Sequence, residues 1–348
     1  MVIQHKCPGC GSDMVFNADT GLLHCESCGR NENIEKMKQQ NQGGSYEEFV
    51  SWTGRNTYQD ESAAQYQCNN CGAILITGAD TTATNCSFCG APMILGNRLS
   101  GELAPSKVIP FSITREQAEE AFKKWCKKSI LMPDNFKKAD RLKSITGMYV
   151  PFWLYDVNGK GEVWGEGKIV HHSRQGNYEI TETEYYDLYR NVNLYFNKIP
   201  VDASEKMDDA TMDKLEPFDY SELQDFKTPY LSGYLAEKYN YTDEQMFPRV
   251  QERVASYTME YIRSTMRQYT STSIENRKLS IWPKEVHYTL LPVWILCYDY
   301  KQMEHCFVMN GQTGKIVGKP PISKGKTVLW FCIIFVIVYI LTTFFFLG

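Results

Sequence analysis

Cys7-x2-Cys10 and Cys25-x2-Cys28 stand fourteen residues apart, and Cys68-x2-Cys71 and Cys86-x2-Cys89 repeat that spacing. Four thiolates from two such pairs suit tetrahedral Zn2+, and a hairpin between the pairs would bring them together. The repeat extends beyond the cysteines: CPGCGSDMVFNADTGLLHCESCGR aligns without a gap on CNNCGAILITGADTTATNCSFCGA. Gly11, Gly29, Gly72 and Gly90 follow the second and fourth cysteine of each copy, where a left-handed turn lets backbone amides point at sulfur. Segments of about 25 to 35 residues cannot build an adequate apolar core, whereas a structural zinc site contributes about 10 to 16 kcal/mol to folding. Two structural Zn2+ are therefore expected, one on Cys7, Cys10, Cys25 and Cys28 and one on Cys68, Cys71, Cys86 and Cys89. With all four ligands supplied by protein, no coordination position is left open for catalysis. The competing reading, disulfides or redox-active dithiols, is opposed by the reducing compartment argued below. His5 and His24 adjoin the ligand pairs and are expected at the surface, since each sulfur quartet is already complete.

Other residues capable of chemistry form no recognisable reaction site. Gly311-Gln312-Thr313-Gly314-Lys315 invites comparison with a phosphate loop, but Met309 and Ile316 stand where that loop needs glycine and Ser or Thr. A hairpin turn is expected instead. His171-His172 could ligate metal or carry protons, yet adjacent strand residues point to opposite faces, which favours solvated histidines. Glu182 and Glu184 share a strand face with no nucleophile or oxyanion donor identifiable nearby. Cys126, Cys297, Cys306 and Cys332 read as small buried or membrane apolar residues. No catalytic residue is assigned, and enzymatic activity is not expected.

Charge weighs against nucleic acid as a partner. The chain of 348 residues carries 37 bases and 41 acids, a balance of −4. Residues 1 to 31 hold Lys6 and Arg30 against Asp13, Asp19 and Glu26, and residues 63 to 98 hold only Arg98 against Asp80. Four thiolates on Zn2+ add a further −2 to each module, so neither should displace counterions from DNA. Protein recognition is the better expectation. The densest charge lies at residues 202 to 225, where nine acids face Lys206 and Lys214, a local −7. Within it, Asp208, Asp209, Asp213 and Glu216 are the candidate docking site for a basic partner. The alternatives are a solvated acidic face, or neutralisation by the basic segment from Arg115 to Lys143.

These sites must be positioned by elements whose patterns differ sharply along the chain. Val328 to Leu347 is twenty residues without a charge, fifteen of them Val, Leu, Ile or Phe. A helix of that length covers the roughly 30 Å hydrocarbon core once. Lys319, Lys324 and Lys326 precede it, a flank typical of the cytoplasmic side. With no apolar leader near Met1, the expectation is a tail-anchored, single-pass protein of the cell membrane with its N-terminal portion in the cytoplasm. The expected fold class is α+β: zinc ribbons at 1–31 and 63–98, a linker with a short helix from Ser45 at 32–62, and an antiparallel-sheet domain with long helices at 99–318. A basic juxtamembrane segment at 319–327 and a transmembrane helix at 328–347 complete it.

Lys36 to Gln65 includes KQQNQGGS, which reads as a flexible tether between independently mobile ribbons. Thr114 with Gln117 marks a helix start, and Ala118, Ala121, Phe122 and Trp125 share one face. Pro151-Phe152-Trp153-Leu154 and Pro292-Val293-Trp294-Ile295 read as equivalent strand starts, since a first residue need not donate to the ladder. Strands are also expected at 161–170, 178–189 and 305–317, and a long helix from Thr242 to Tyr269.

Together with the ribbons, the segments Leu215-Glu216-Pro217-Phe218-Asp219, Tyr230-Leu231-Ser232-Gly233-Tyr234-Leu235-Ala236-Glu237-Lys238-Tyr239, Leu291-Pro292-Val293-Trp294 and Val308-Met309-Asn310-Gly311-Gln312-Thr313-Gly314-Lys315 resemble the bacterial membrane proteins of the YdjG type. That group has tandem TFIIB-type zinc ribbons and is often mislabelled as PriA-like helicase, a name no Walker motif supports here. The resemblance implies a membrane-anchored cytoplasmic adaptor working beside SPFH-like and phage-shock PspA-like proteins in envelope stress, within a hetero-oligomer at the lipid bilayer. Membrane-tethered nucleic-acid binding by the ribbons is the alternative function.

Overall fold

The computed structural model describes residues 2–36, 40–41, 63–78, 80–86, 89–99, 104–134, 145–300, 303–318 and 320–347. The expected helix from Ser45 and the flanking Lys319 lie outside these residues. Two compact units emerge, one from Met1–Pro151, Lys206–Lys238 and Leu290–Gly348, the other from Phe152–Glu205 and Tyr239–Thr289.

The first unit is organised around aromatic rings that the sequence scatters widely. Phe111 stacks on Tyr234 with centroids 4.1 Å apart, while Tyr149 and Trp294 meet Phe111 edge-on at 5.0 and 5.1 Å. Such pairs add about 0.5 to 1.5 kcal/mol each beyond area burial. Gly147 makes room for them, because a Cβ there would lie 2.6 Å from the Tyr234 ring. The helix Arg115–Lys128 begins at Thr114 with the expected capping box, and Phe122 and Trp125 pack on Phe307. Met303–Asn310 pairs with Ile316–Gly318 across the expected turn, which Gly314 closes at φ +76. The buried amide of Asn310 fastens that turn: its nitrogen donates to the carbonyls of Leu215 and Pro217, and its oxygen accepts from the N–H groups of Gln312 and Thr313.

The second unit is a long antiparallel hairpin under a helix. Ile145–Gln175, from Phe152 onward, pairs with Tyr178–Asp202. Helix Asp243–Ser264, capped by Thr242 and Gln245, buries Val250 and Val254 against Tyr155, Val157 and Val201, and Met259 and Ile262 against Val163 and Leu188. The hairpin carries glycine beneath the helix for a steric reason. A Cβ on Gly161 would approach Ile262 Cδ1 and Thr258 Cγ2 to 3.0 Å.

The α+β class holds, with corrections in detail. The sheet is mixed, because Met148 and Tyr149 pair in parallel with Leu235 and Ala236. Pro151 and Pro292 lie inside strands Ile145–Gln175 and Ser271–Tyr300 and do not open them. Pro151 is tolerated there because the strand changes partner at this point, from Leu235–Glu237 before it to Tyr178–Asp202 after it. The long helix ends at Ser264, and Met266 and Tyr269 continue its apolar spacing as packing beyond the helix. Cys126 is buried as expected and Cys332 lies exposed on the C-terminal helix, while the side chains of Cys297 and Cys306 fall outside the described residues.

Candidate metal centres

Each cysteine quartet converges to one point. Cys7, Cys10, Cys25 and Cys28 place their sulfurs within 4.8 Å of one another, and so do Cys68, Cys71, Cys86 and Cys89. The closest pairs are Cys10 to Cys25 at 3.5 Å, Cys7 to Cys28 at 3.6 Å, Cys68 to Cys89 at 3.7 Å and Cys71 to Cys86 at 3.8 Å. Tetrahedral zinc with bonds of about 2.3 Å sets its sulfurs about 3.8 Å apart, so both quartets fit the ion. The chemistry such an ion would supply is structural cross-linking of two loops.

Local backbone geometry explains the convergence. In every knuckle the first cysteine's carbonyl accepts from the glycine four residues on, at 2.8 to 2.9 Å, and Gly11, Gly29, Gly72 and Gly90 all sit at φ between +73 and +77. That conformation costs an L-residue about 1 to 2 kcal/mol and glycine nothing. Donors are aimed at sulfur: the Gly9 N–H points at Cys7 Sγ at 3.4 Å, and the Asn70 amide at Cys89 Sγ at 3.6 Å. The Ser12 hydroxyl and amide hold the Cys10 thiol down to about 6, and the Ala91 amide with the Asn70 side chain does the same for Cys89. Each quartet has two buried cysteines and two exposed ones, so an ion held there would have protein on one side and solvent on the other.

The ribbons are seated on the first unit, in contrast to the expected independent modules. Gly233, at φ +90, lies against Val15 of the first ribbon, where an added Cβ would come within 3.2 Å of the valine Cβ. Phe16 N–H donates to the Ser232 carbonyl at 2.9 Å, and the Phe16 ring meets that of Tyr230 at 5.4 Å. The second ribbon joins the sheet directly, with Thr81–Asn85 antiparallel to Leu235–Glu237 through Ala83 and Ala236. Val2–Gln4 then pairs with Pro92–Leu95, linking the strand before the first quartet to the strand after the second. The segment from Tyr230 to Glu237 thus meets both ribbons, Tyr230 and Ser232 the first, Ala236 and Glu237 the second. No residue of chemical note marked that role; the only signal was the specificity of the segment itself.

His24 is half-buried and bonded to Asn31 at 2.7 Å. His5 is a correction: it is buried at 1% exposure with Nε2 3.3 Å from Thr228 Oγ1, because the first ribbon is pressed onto that segment. Burial pushes its imidazole down to about 4.

The remaining candidates do not converge. His171 and His172 are exposed on the hairpin, His172 beside Thr181 at 3.1 Å and His171 3.9 Å from Glu184. Glu182 stands opposite His171 in the ladder and is exposed. Lys315 donates to the Glu216 carbonyl, which occupies the lysine of the would-be phosphate loop. Of the acidic stretch, Asp208 caps helix Asp209–Leu215 by accepting from Thr211, and Glu216 follows its last turn. Asp208 and Asp209 are exposed, and Asp213 and Glu216 partly so. Asp202 is buried, and Asp225 is paired with Lys107 at 2.6 Å. Residues 135–144 of the basic segment lie outside the described ones.

At the other end, Lys324–Leu347 is one helix whose window Lys324–Thr343 has a mean hydropathy of 2.1 and no buried share. It is long and apolar enough to cross a membrane, and it starts four residues before the uncharged run because Ser323 caps it through the Lys326 N–H.

Two four-cysteine centres suited to zinc, a mixed-sheet scaffold and one apolar C-terminal helix define the class of this chain. It is 54% identical over 331 residues to the uncharacterized protein YdjG of Bacillus subtilis (strain 168), a match covering 95% of this chain and 94% of the relative. The chain belongs to the YdjG family. No family model matches it. No solved structure matches it either.

Proposed function

We propose that this protein is a membrane-anchored zinc-ribbon adaptor that recruits cytoplasmic partners to the cell membrane in an envelope-stress response. The observation that carries this reading is the pairing of two closed cysteine quartets, whose ligand sets leave no reaction position, with a C-terminal helix that has no buried face. Basic residues near the first quartet are already engaged, Lys6 with Asp13 and Arg30 with Glu32, both at 2.6 Å. That supports protein over nucleic acid as the ribbons' partner. The resemblance stated above makes SPFH-like and PspA-like proteins the first partners to seek, and the exposed acids Asp208 and Asp209, with Asp213 and Glu216, the place to seek them. No reaction is proposed.

Cross-linking the full chain in native membranes and identifying the captured proteins tests the adaptor role. Titrating the zinc-loaded protein with DNA and RNA at two salt concentrations tests the alternative, since sub-micromolar affinity with a steep salt slope would favour nucleic acid.

A further inference from the structure

The C-terminal helix leaves the first unit at a pinned junction. Ser323 N–H donates to the Leu131 carbonyl at 2.9 Å. Lys326 Nζ donates to the Met132 carbonyl at 3.1 Å and to Asp134 at 2.5 Å. The stretch that follows helix Arg115–Lys128 is thereby held against the first turn of the apolar helix. Two large aliphatic side chains are left in water at this place, Ile130 at 57% exposure and Ile322 at 64%.

The helix that delivers Ile130 is segregated by charge. Its acids Glu116, Glu119 and Glu120 occupy the far end, and its bases Lys123, Lys124, Lys127 and Lys128 the end nearest the junction. At about 100° per residue these four lysines span an arc of about 140°, opposite the buried Ala118, Phe122 and Cys126. Lys124 is paired with Glu120 at 2.8 Å, and Lys326 with Asp134. Lys127, Lys128 and Lys324 take part in no ion pair among the described residues. Leu131 is three positions after Lys128, no more than about 10 Å of chain, so the basic arc reaches the junction.

We infer that this junction is a membrane-contact surface: Ile130 and Ile322 enter the interfacial layer of the bilayer, and Lys123, Lys124, Lys127, Lys128 and Lys324 engage the phosphates of anionic phospholipids. The inference rests on the anchoring proposed above, and the occupant follows from continuity with the apolar helix and from charge. Aliphatic tips beside lysines on long stems match a surface whose depth changes from headgroup to hydrocarbon within a few ångströms. An attraction of this kind holds the first unit down on an anionic leaflet in place of leaving it to swing from a single helix.

The test uses the full chain in nanodiscs of phosphatidylcholine alone or mixed with an equal part of phosphatidylglycerol, acetylated with a water-soluble amine reagent and read by peptide mass spectrometry. Lys127 and Lys128 should react about fivefold more slowly in the anionic discs, while Lys214, exposed on helix Asp209–Leu215, reacts equally in both. Replacing both isoleucines, Ile130→Ser with Ile322→Ser, should remove at least half of that protection. Equal rates at Lys127 and Lys128 in discs that carry the protein would overturn this surface alone. Protein that elutes apart from the discs would overturn the anchor, and this surface with it.

Discussion

Ser232 and Met14 are 218 residues apart in the chain, yet the Ser232 hydroxyl donates to the buried Met14 carbonyl at 2.6 Å. With the Ser232 carbonyl accepting from Phe16 on the next residue but one, this serine holds the first ribbon at two points. Ser232→Ala removes only the hydroxyl and leaves the Met14 carbonyl without its donor. The variant should lose about 1 to 3 kcal/mol of stability in the zinc-loaded state, seen as a lower Tm in calorimetry. An unchanged Tm would mean that the hydroxyl adds nothing to the seat.

Zinc content should be two ions per chain. Cys10→Ser and Cys71→Ser should each release one, measured by elemental analysis, because three thiolates and a serine hydroxyl bind far more weakly than four thiolates. The consequences should extend past the ribbon. Amide exchange should quicken at Phe16 in the first variant, and across Leu235–Glu237 in the second, since those amides are protected by pairing with the seated ribbons. Protein purified without chelator and found free of zinc would end this reading of the cysteines.

Asn310 offers a sharper test of the turn. Its amide nitrogen satisfies the carbonyls of Leu215 and Pro217, while its oxygen organises the following turn. Asn310→Asp keeps the acceptor and turns the donor into a charge facing two carbonyl oxygens, so it should destabilise by more than Asn310→Ala. The alanine variant should itself cost about 2 to 3 kcal/mol by urea denaturation. The reverse order would show that the turn, and not the bridge to Leu215 and Pro217, is what this residue supplies.

Partner docking at the acidic stretch predicts a kinetic effect. Asp208→Asn, Asp209→Asn, Asp213→Asn and Glu216→Gln together should slow association with the captured partner severalfold, with the difference shrinking as salt rises. Folding and zinc content should hold, because asparagine at 208 still caps the helix. Association that is equally fast in the quadruple variant would remove these residues from the docking site.

The cysteine quartets and the Thr114 capping box were legible in the sequence because both are local: ligands lie within twenty-two residues of each other, and a cap is decided over four. The apolar helix was legible for the same reason. The seating of the ribbons was not, since Ala83 meets Ala236 and Phe16 meets Ser232 across long stretches of chain, and small residues in a pairing strand carry no chemical signature. The burial of His5 follows from that seating and was hidden with it. The extent of the strands was obscured by Pro151 and Pro292, which read as boundaries until the change of pairing partner around Pro151 is seen.

The pairing of Val2–Gln4 with Pro92–Leu95 should also couple metal binding at the two candidate centres. An ion that orders the first ribbon presents an ordered strand to the second, so part of the folding that the second ion would otherwise drive is already complete when it arrives. Linkage requires the effect to be reciprocal: whatever factor the first site confers on the second, the second returns to the first. Zinc uptake should therefore be steeper than for two separate ribbons, and scarcity should empty both sites over one narrow range of free metal.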